Sequence, residues 1–356
     1  MAADGRSGPV KIGVVGAGFI GQLAHLDSYA AIDGCCIVAL AESRPKLRHL
    51  VSQRYGIPRT YALHHELIRD PEVEAVVVVT PRSMTGPIAL DCLKAGKHLF
   101  TEKPMAATVE QAERLVEAAQ ARGLRYAVGY MRRHDEGIQQ AKQLLDDLLA
   151  TGELGPITFV RAHCFAGDDY CNIDGHIVTS EKVPKDLPGW PIAPDWVPEH
   201  RQSDYAYFLN VFCHNVNLLR YLLGHSPSVK FVRLADRRAQ VVILDYGAYM
   251  AVLEFGTSES RTWDEVTEIY FTHGRLKILP PPALLRNVPA QVEIYKGNDS
   301  HQVCSSQPGW TWAFRRQAEA FIEDNREGRQ PVASGADALE DMRLIEQIWR
   351  LELNGR

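Results

Sequence analysis

The apolar run Val10-Lys11-Ile12-Gly13-Val14-Val15 passes directly into Gly16-Ala17-Gly18-Phe19-Ile20-Gly21, and this junction constrains the fold more than any other segment. The run reads as a buried strand, the glycine-rich stretch as a tight turn, and the residues through Tyr29 as a helix. Glycines let such a turn tighten, let backbone approach a pyrophosphate, and let the helix pack on the strand while its N-terminus faces the phosphates. Gly16, Gly18, Phe19, Ile20 and Gly21 are therefore the first candidate cofactor-binding residues.

A second apolar strand, Ile37-Val38-Ala39-Leu40-Ala41, ends at Glu42, 21 residues after Gly21 and near the spacing of a ribose-binding acid. A carboxylate there accepts hydrogen bonds from both ribose hydroxyls and repels a 2′-phosphate, so NAD is the expected cofactor. Arg44 leaves NADP possible, because a guanidinium can clamp that phosphate.

Strand and helix then alternate. Glu74 to Val79 forms a strand ending at Thr80-Pro81, a helix runs from Ile88 to Ala95 with Gly96 as its C-cap, and His98 to Thr101 forms the next strand. Glu102-Lys103-Pro104 follows, then the capping box Thr108-Val109-Glu110-Gln111 opening a helix towards Arg122, and a further strand from Arg125 to Gly129. The alternation implies a Rossmann-type, doubly wound parallel sheet. An isolated Glu-Lys-Pro is a surface turn more often than a site. Here Lys103 falls at the carboxyl end of a strand, where open α/β sheets bind ligands, and a poorly hydrated lysine in that place is a candidate acid/base.

The chain has 356 residues, 46% of them hydrophobic and 23% charged, enough for two domains with separate cores. A net charge of -5 without long basic runs disfavours nucleic acid or an anionic membrane as partner. No stretch has signal-peptide or membrane-spanning character, so a cytoplasmic location is expected. Seven scattered cysteines without Cys-x-x-Cys spacing read as reduced packing thiols, and no metal site is expected.

After a helix over 136–150, capped near Gly152, the pattern changes to strands at 157–162, 229–234, 239–245, 248–255, 266–272 and 291–296. These imply an α+β domain with a large, mostly antiparallel, open-faced sheet. The irregular segment 166–204 holds Pro184, Pro188, Pro191, Pro194 and Pro198 with Trp190 and Trp196, and reads as a rigid flap over the substrate or a subunit contact. Tyr205 to Leu223 reads as one helix with Tyr207, Asn210, His214, Asn217 and Tyr221 as a polar stripe. Trp312 to Glu327 and Asp337 to Leu353 read as closing helices.

The chain resembles the glucose-fructose oxidoreductase, inositol dehydrogenase and MocA family. The resemblance is carried by Gly16 to Gly21, Thr80-Pro81, the run from Ala95 to Pro104, and Gly129-Tyr130-Met131-Arg132-Arg133-His134-Asp135. It implies a dinucleotide-binding domain over 1–130 and a substrate-binding and oligomerisation domain over 131–356, with the final helices returning towards the first. It further implies a homodimer or homotetramer through the open sheet face. Lys103 would lie beside the nicotinamide and the substrate hydroxyl, before a peptide bond that is often cis in the family, with Thr80, Pro81, Arg82 and Glu102 near the cofactor. His214 would be the second catalytic residue, with Asn210 and Asn217 gripping neighbouring hydroxyls. Tyr130, Arg132 and Arg133 stand at the domain crossover, where they would reach an anionic or hydroxylated ligand or equally form a salt bridge bracing the two domains.

Two departures stand out. Arg82 replaces the family's usual asparagine, and Asn210 and Asn217 stand where the family carries aspartates around His214. An amide cannot stabilise an imidazolium as a carboxylate does, which shifts the acid/base role towards Lys103. The implied activity is NAD(P)-dependent oxidation of a secondary alcohol on a sugar, sugar derivative or cyclitol. The alternatives are reduction of an imine or enone on the same fold, or a cofactor-sensing regulatory protein without catalysis.

Overall fold

The computed structural model describes residues 8–184, 187, 189–297 and 302–355. Two compact units divide the chain: Met1–Tyr130, Asp174–Ala206 and Phe314–Met342 make the first, and Met131–Ile173, Tyr207–Ala313 and Arg343–Arg356 the second. The first unit thus draws on 174–206 and on 314–342 of the closing segment as well as on the residues before 131.

In the first unit, strands β1 (Val10–Val15), β2 (Cys35–Ala41), β3 (Arg59–Tyr61), β4 (Ala75–Val78), β5 (His98–Thr101) and β6 (Tyr126–Val128) form one sheet. Its order is β3-β2-β1-β4-β5-β6, with every pairing parallel. The strands are continuous apolar runs, as expected when helices cover both faces. The helices are α1 (Asp27–Ala30), preceded by a π-helical turn over Gly21–Leu26, then α2 (Pro45–Tyr55), α3 (His64–Leu67), α4 (Arg82–Lys94) and α5 (Val109–Gln120). Ile12, Val14, Leu40, Val77 and Phe100 of the sheet meet Phe321 and Ile322 of the closing helix in one buried core.

Helix α4 begins at Arg82 rather than at Ile88, because Pro81 accepts the Met84 and Thr85 N–H groups and starts the turn before Pro87. Helix α5 starts as expected: the Thr108 side chain accepts the Gln111 N–H at 3.1 Å. The Gln111 side chain returns to the Ala107 N–H at 3.0 Å, one residue earlier than a standard capping box.

The second unit contains α6 (Glu136–Thr151), β7 (Ile157–Ala166), the end of α7 (Glu199–Val211) from Tyr207 onward, α8 (Cys213–Leu223), β8 (Ser228–Asp236), β9 (Ala239–Asp245), β10 (Met250–Thr257), β11 (Asp264–Phe271), β12 (Gly274–Leu279), β13 (Gln291–Lys296) and β14 (Gln302–Ser306). The eight strands follow the order β14-β13-β12-β11-β7-β10-β9-β8, antiparallel except for β7 with β10. Two strands escaped the sequence reading: β12 (Gly274–Leu279) and β14 (Gln302–Ser306). The expected single helix over 205–223 is broken at Phe212, which turns and becomes the N-cap of α8. No glycine or proline marks the break. Tertiary packing explains it: the Phe212 ring stacks on Phe255 at 4.4 Å, and Phe208 meets both Phe255 and the closing-helix Trp349 edge-on. The closing helices are α9 (Ala313–Glu327) and α10 (Gly335–Asn354). Among the described residues no helix is long and apolar enough to cross a membrane.

Replacing Thr108 with Ala should destabilise the first unit by about 1 kcal/mol, the usual effect of losing a helix N-cap. Urea unfolding of the two proteins measures this, and equal midpoints would mean that the cap is not stabilising.

Candidate nucleotide cavity and active site

The glycine turn is set by close approach of two strand ends. Gly16 has φ +95°, and a Cβ there would lie 2.1 Å from the Val79 carbonyl oxygen, so only glycine fits. A Cβ on Gly21 would lie 2.8 Å from the Gly16 carbonyl oxygen. Gly18 differs: a Cβ there would meet nothing within 4 Å. The turn is thus tight beneath and open above, which is the form a pyrophosphate cradle requires.

Glu42 closes the other side. Its carboxylate accepts the Ala17 N–H at 2.9 Å and the Arg44 N–H at 3.1 Å, and it pairs with the Arg44 guanidinium through Nε at 2.8 Å and Nη2 at 3.0 Å. Burial pushes the Glu42 carboxyl upward, but the Arg44 guanidinium and the two backbone donors outweigh it, and the net displacement is downward. Glu42 is therefore an anion held at the end of β2.

These elements line a cavity of about 400 Å³. Of the expected cofactor residues, Gly16, Gly18, Phe19, Ile20, Gly21, Glu42, Arg44, Thr80 and Pro81 all border it. The sequence reading missed Ser43, Leu63, His64, Met84, Val183 and Leu187. Of these, Ser43 adjoins Glu42 and could have been found by spacing. Val183 and Leu187 come from the proline-rich segment, which no local signal ties to the glycine turn. His64 Nε2 is hydrogen-bonded to the Asp91 carboxylate at 3.0 Å, and burial pushes its imidazole pKa down, favouring the neutral ring.

Three expected cofactor residues do not border the cavity. Arg82 is exposed and donates from Nη1 to the Ala206 carbonyl at 2.8 Å. Glu102 is hydrogen-bonded to the buried His25 ring at 2.7 Å, and it accepts the Lys103 N–H at 3.1 Å. Lys103 itself is half-buried just past the carboxyl end of β5, and its bond to Pro104 is cis. His25, buried among Tyr29, Phe100 and Phe314, was not singled out from the sequence.

The other candidates are placed as follows. Tyr130 is fully buried in the first unit. In the second unit, Arg132 forms a buried ion pair with Glu265, which also accepts from Asn215 at 3.0 Å and Trp263 at 2.9 Å. Asn217 is likewise buried and accepts from Arg133 Nε at 2.9 Å, while the Arg133 guanidinium lies over the Tyr221 ring. The expected polar stripe is thus partly internal structure: Asn217 and Tyr221 serve Arg133, and His214 and Asn210 are half-buried.

A doubly wound sheet with a glycine cradle and an acid at the second strand end is the arrangement of a dinucleotide-binding domain. Comparison with known proteins agrees. Residues 10–130 match the model of the Gfo/Idh/MocA proteins, described as an oxidoreductase family with an NAD-binding Rossmann fold. An inositol 2-dehydrogenase of Burkholderia lata is 34% identical over 289 residues, covering 77% of this chain and 75% of that one. A myo-inositol 2-dehydrogenase of Thermotoga maritima is 21% identical over 341 residues, covering 92% of each. An aldose-aldose oxidoreductase of Caulobacter crescentus, solved with glycerol, superposes with a TM-score of 0.75 at 23% identity over 98% of each chain. The chain belongs to the Gfo/Idh/MocA oxidoreductase family.

The displaced Glu42 carboxyl gives a pH signature. Because its folded pKa lies below the ordinary 4.5, its stabilisation is complete above that value and is lost as pH falls through the lower folded pKa. Thermal unfolding should therefore show wild type more stable than Glu42→Gln at pH 6, with the gap closing as the pH drops below 4.5. A gap independent of pH would contradict the ionised pairing with Arg44.

Proposed function

We propose that this enzyme oxidises a secondary alcohol on a cyclitol, sugar or sugar derivative, using NAD, with Lys103 as the acid/base. The observation that carries the reading is the position of Lys103 at the carboxyl end of β5, in the unit whose adjacent strand ends frame the glycine cradle and Glu42. The inositol dehydrogenases among its relatives support a polyhydroxylated ring as substrate.

Bound NAD supplies one thing, acceptance of a hydride from the carbinol carbon. The chain supplies the rest. The glycine turn and the helix it opens hold the pyrophosphate, Glu42 accepts the ribose hydroxyls, and Lys103 Nζ takes the proton that leaves the substrate hydroxyl as the carbonyl forms. His214 and Asn210 remain assigned to orienting hydroxyls on the family resemblance. Arg132 and Asn217, committed to Glu265 and Arg133, are assigned to support rather than to substrate contact. The reading also includes a homo-oligomer through the open face of the large sheet, where Phe159 and Phe231 are exposed between charged pairs such as Arg161–Glu254.

Lys103→Met should leave NAD affinity nearly intact and lower turnover by about two orders of magnitude or more. Calorimetric titration with NAD and steady-state rates on the best cyclitol separate the two effects, and unchanged turnover would refute the assignment.

A further inference from the structure

We infer that Glu181, on the segment 174–206, is a specificity residue that bars a 2′-phosphate and so adds to the choice of NAD over NADP. The inference rests on the nucleotide reading of the cavity above.

A 2′-phosphate beside the end of β2 requires a cation to pair with and free N–H donors, which the first turn of the following helix would offer. The donors of that turn and two arginines beside it are already committed. The N-cap of α2 is Arg44, whose side chain makes no capping hydrogen bond. The cap comes instead from a residue 135 positions away: Glu181 Oε1 accepts the Lys46 N–H at 3.0 Å, and Oε2 accepts the Leu47 N–H at 2.9 Å. Thr179 donates to the same carboxylate at 3.1 Å, fixing its direction. Proline at position 45 has no N–H, so the first two N–H donors of the helix are both taken.

The two arginines are committed too. Arg44 holds the Glu42 carboxylate through two nitrogens, and Arg48 donates to the Glu42 carbonyl oxygen at 2.5 Å. Arg44 lies in the field of both carboxylates, and its hydrogen bond to Glu42 raises its pKa, with the charge of Glu181 adding to the effect. Glu181 in turn is held in its anionic form, chiefly by the backbone donors of α2. An NADP phosphate would therefore meet occupied donors and two negative charges, whereas the 2′-hydroxyl of NAD requires only the acceptor that Glu42 provides.

The segment is tied down on both sides of Glu181. Gln22 exchanges hydrogen bonds with the Ile177 backbone at 2.8 and 3.0 Å, and the Trp190 N–H donates to the Ser83 carbonyl at 2.8 Å. Val183, two residues beyond, borders the cavity. The carboxylate is thus a built part of the nucleotide unit and not a passing surface contact.

The test is calorimetric titration of the full chain with NAD and with NADP, in wild type, Glu181→Gln, Glu181→Lys and the charge-keeping Glu181→Asp. The ratio of the NADP Kd to the NAD Kd should fall about tenfold in the Gln variant, in line with removing a like charge from the phosphate site, and further in the Lys variant. The Asp variant should hold the wild-type ratio more nearly than either. If NAD binds and the ratio is unchanged in both the Gln and Lys variants, or both nucleotides shift together, the role of Glu181 is overturned while the cavity reading stands. If wild type binds neither nucleotide, the cavity reading falls and this inference falls with it.

Discussion

The approach of Gly16 to the Val79 carbonyl is the contact on which the first unit depends. It lies where the strand order reverses direction, between β1 and β4, and a side chain on residue 16 would force the two strand ends apart. The parallel register then brings the chemistry to one end of the sheet. Val15 pairs with Ala41, which delivers Glu42 to the Ala17 N–H, and Val78 pairs with Thr101, which delivers Lys103 two residues later. A one-residue slip in either pairing would move the acid or the lysine away from that edge.

Charge is handled differently in the two units. Around the candidate cavity, the buried Glu42 pairs with the partly exposed Arg44 and is held below its ordinary pKa, while Glu181 caps the helix that Arg44 precedes. In the second unit, Arg132 and Glu265 are buried, and burial pushes the Glu265 carboxyl up against the pull of the guanidinium. Such a pair adds little net stability over an apolar replacement, but removing one partner strands a buried charge. Loss of Arg132 would strand Glu265, and loss of Asn217 would strand the Arg133 guanidinium it accepts from.

Much of the first sheet was legible because strand, turn and helix signals there are local. The run into Gly16, the distance to Glu42 and the Thr108 cap each lie within a few residues of what they determine. The long strands of the second sheet were also legible, whereas β12, with charged Arg275 and Lys277 alternating outward, and the short β14 were not. The break at Phe212 left no trace because aromatic packing, not a helix-breaking residue, produces it. The irregular segment 166–204 stood out by its tryptophans and prolines, yet its partners could not be read. Trp190 packs over Gly86, where a Cβ would come within 2.2 Å, and Glu181 caps a helix 135 residues upstream, neither of which any spacing rule encodes. Pro188 of that segment lies outside the described residues. Arg82, Glu102, Arg132 and Asn217 were assigned from type and position, and in each case a hydrogen-bond partner invisible in the sequence decides where the side chain goes.

The most direct measurement is absorbance at 340 nm after mixing the protein with NAD and, in turn, a panel of cyclitols and pyranoses. The account predicts growth of reduced cofactor with at least one secondary polyol, faster with NAD than with NADP. Tight binding of NAD with no reduction across the whole panel would contradict the assignment of a polyol dehydrogenase.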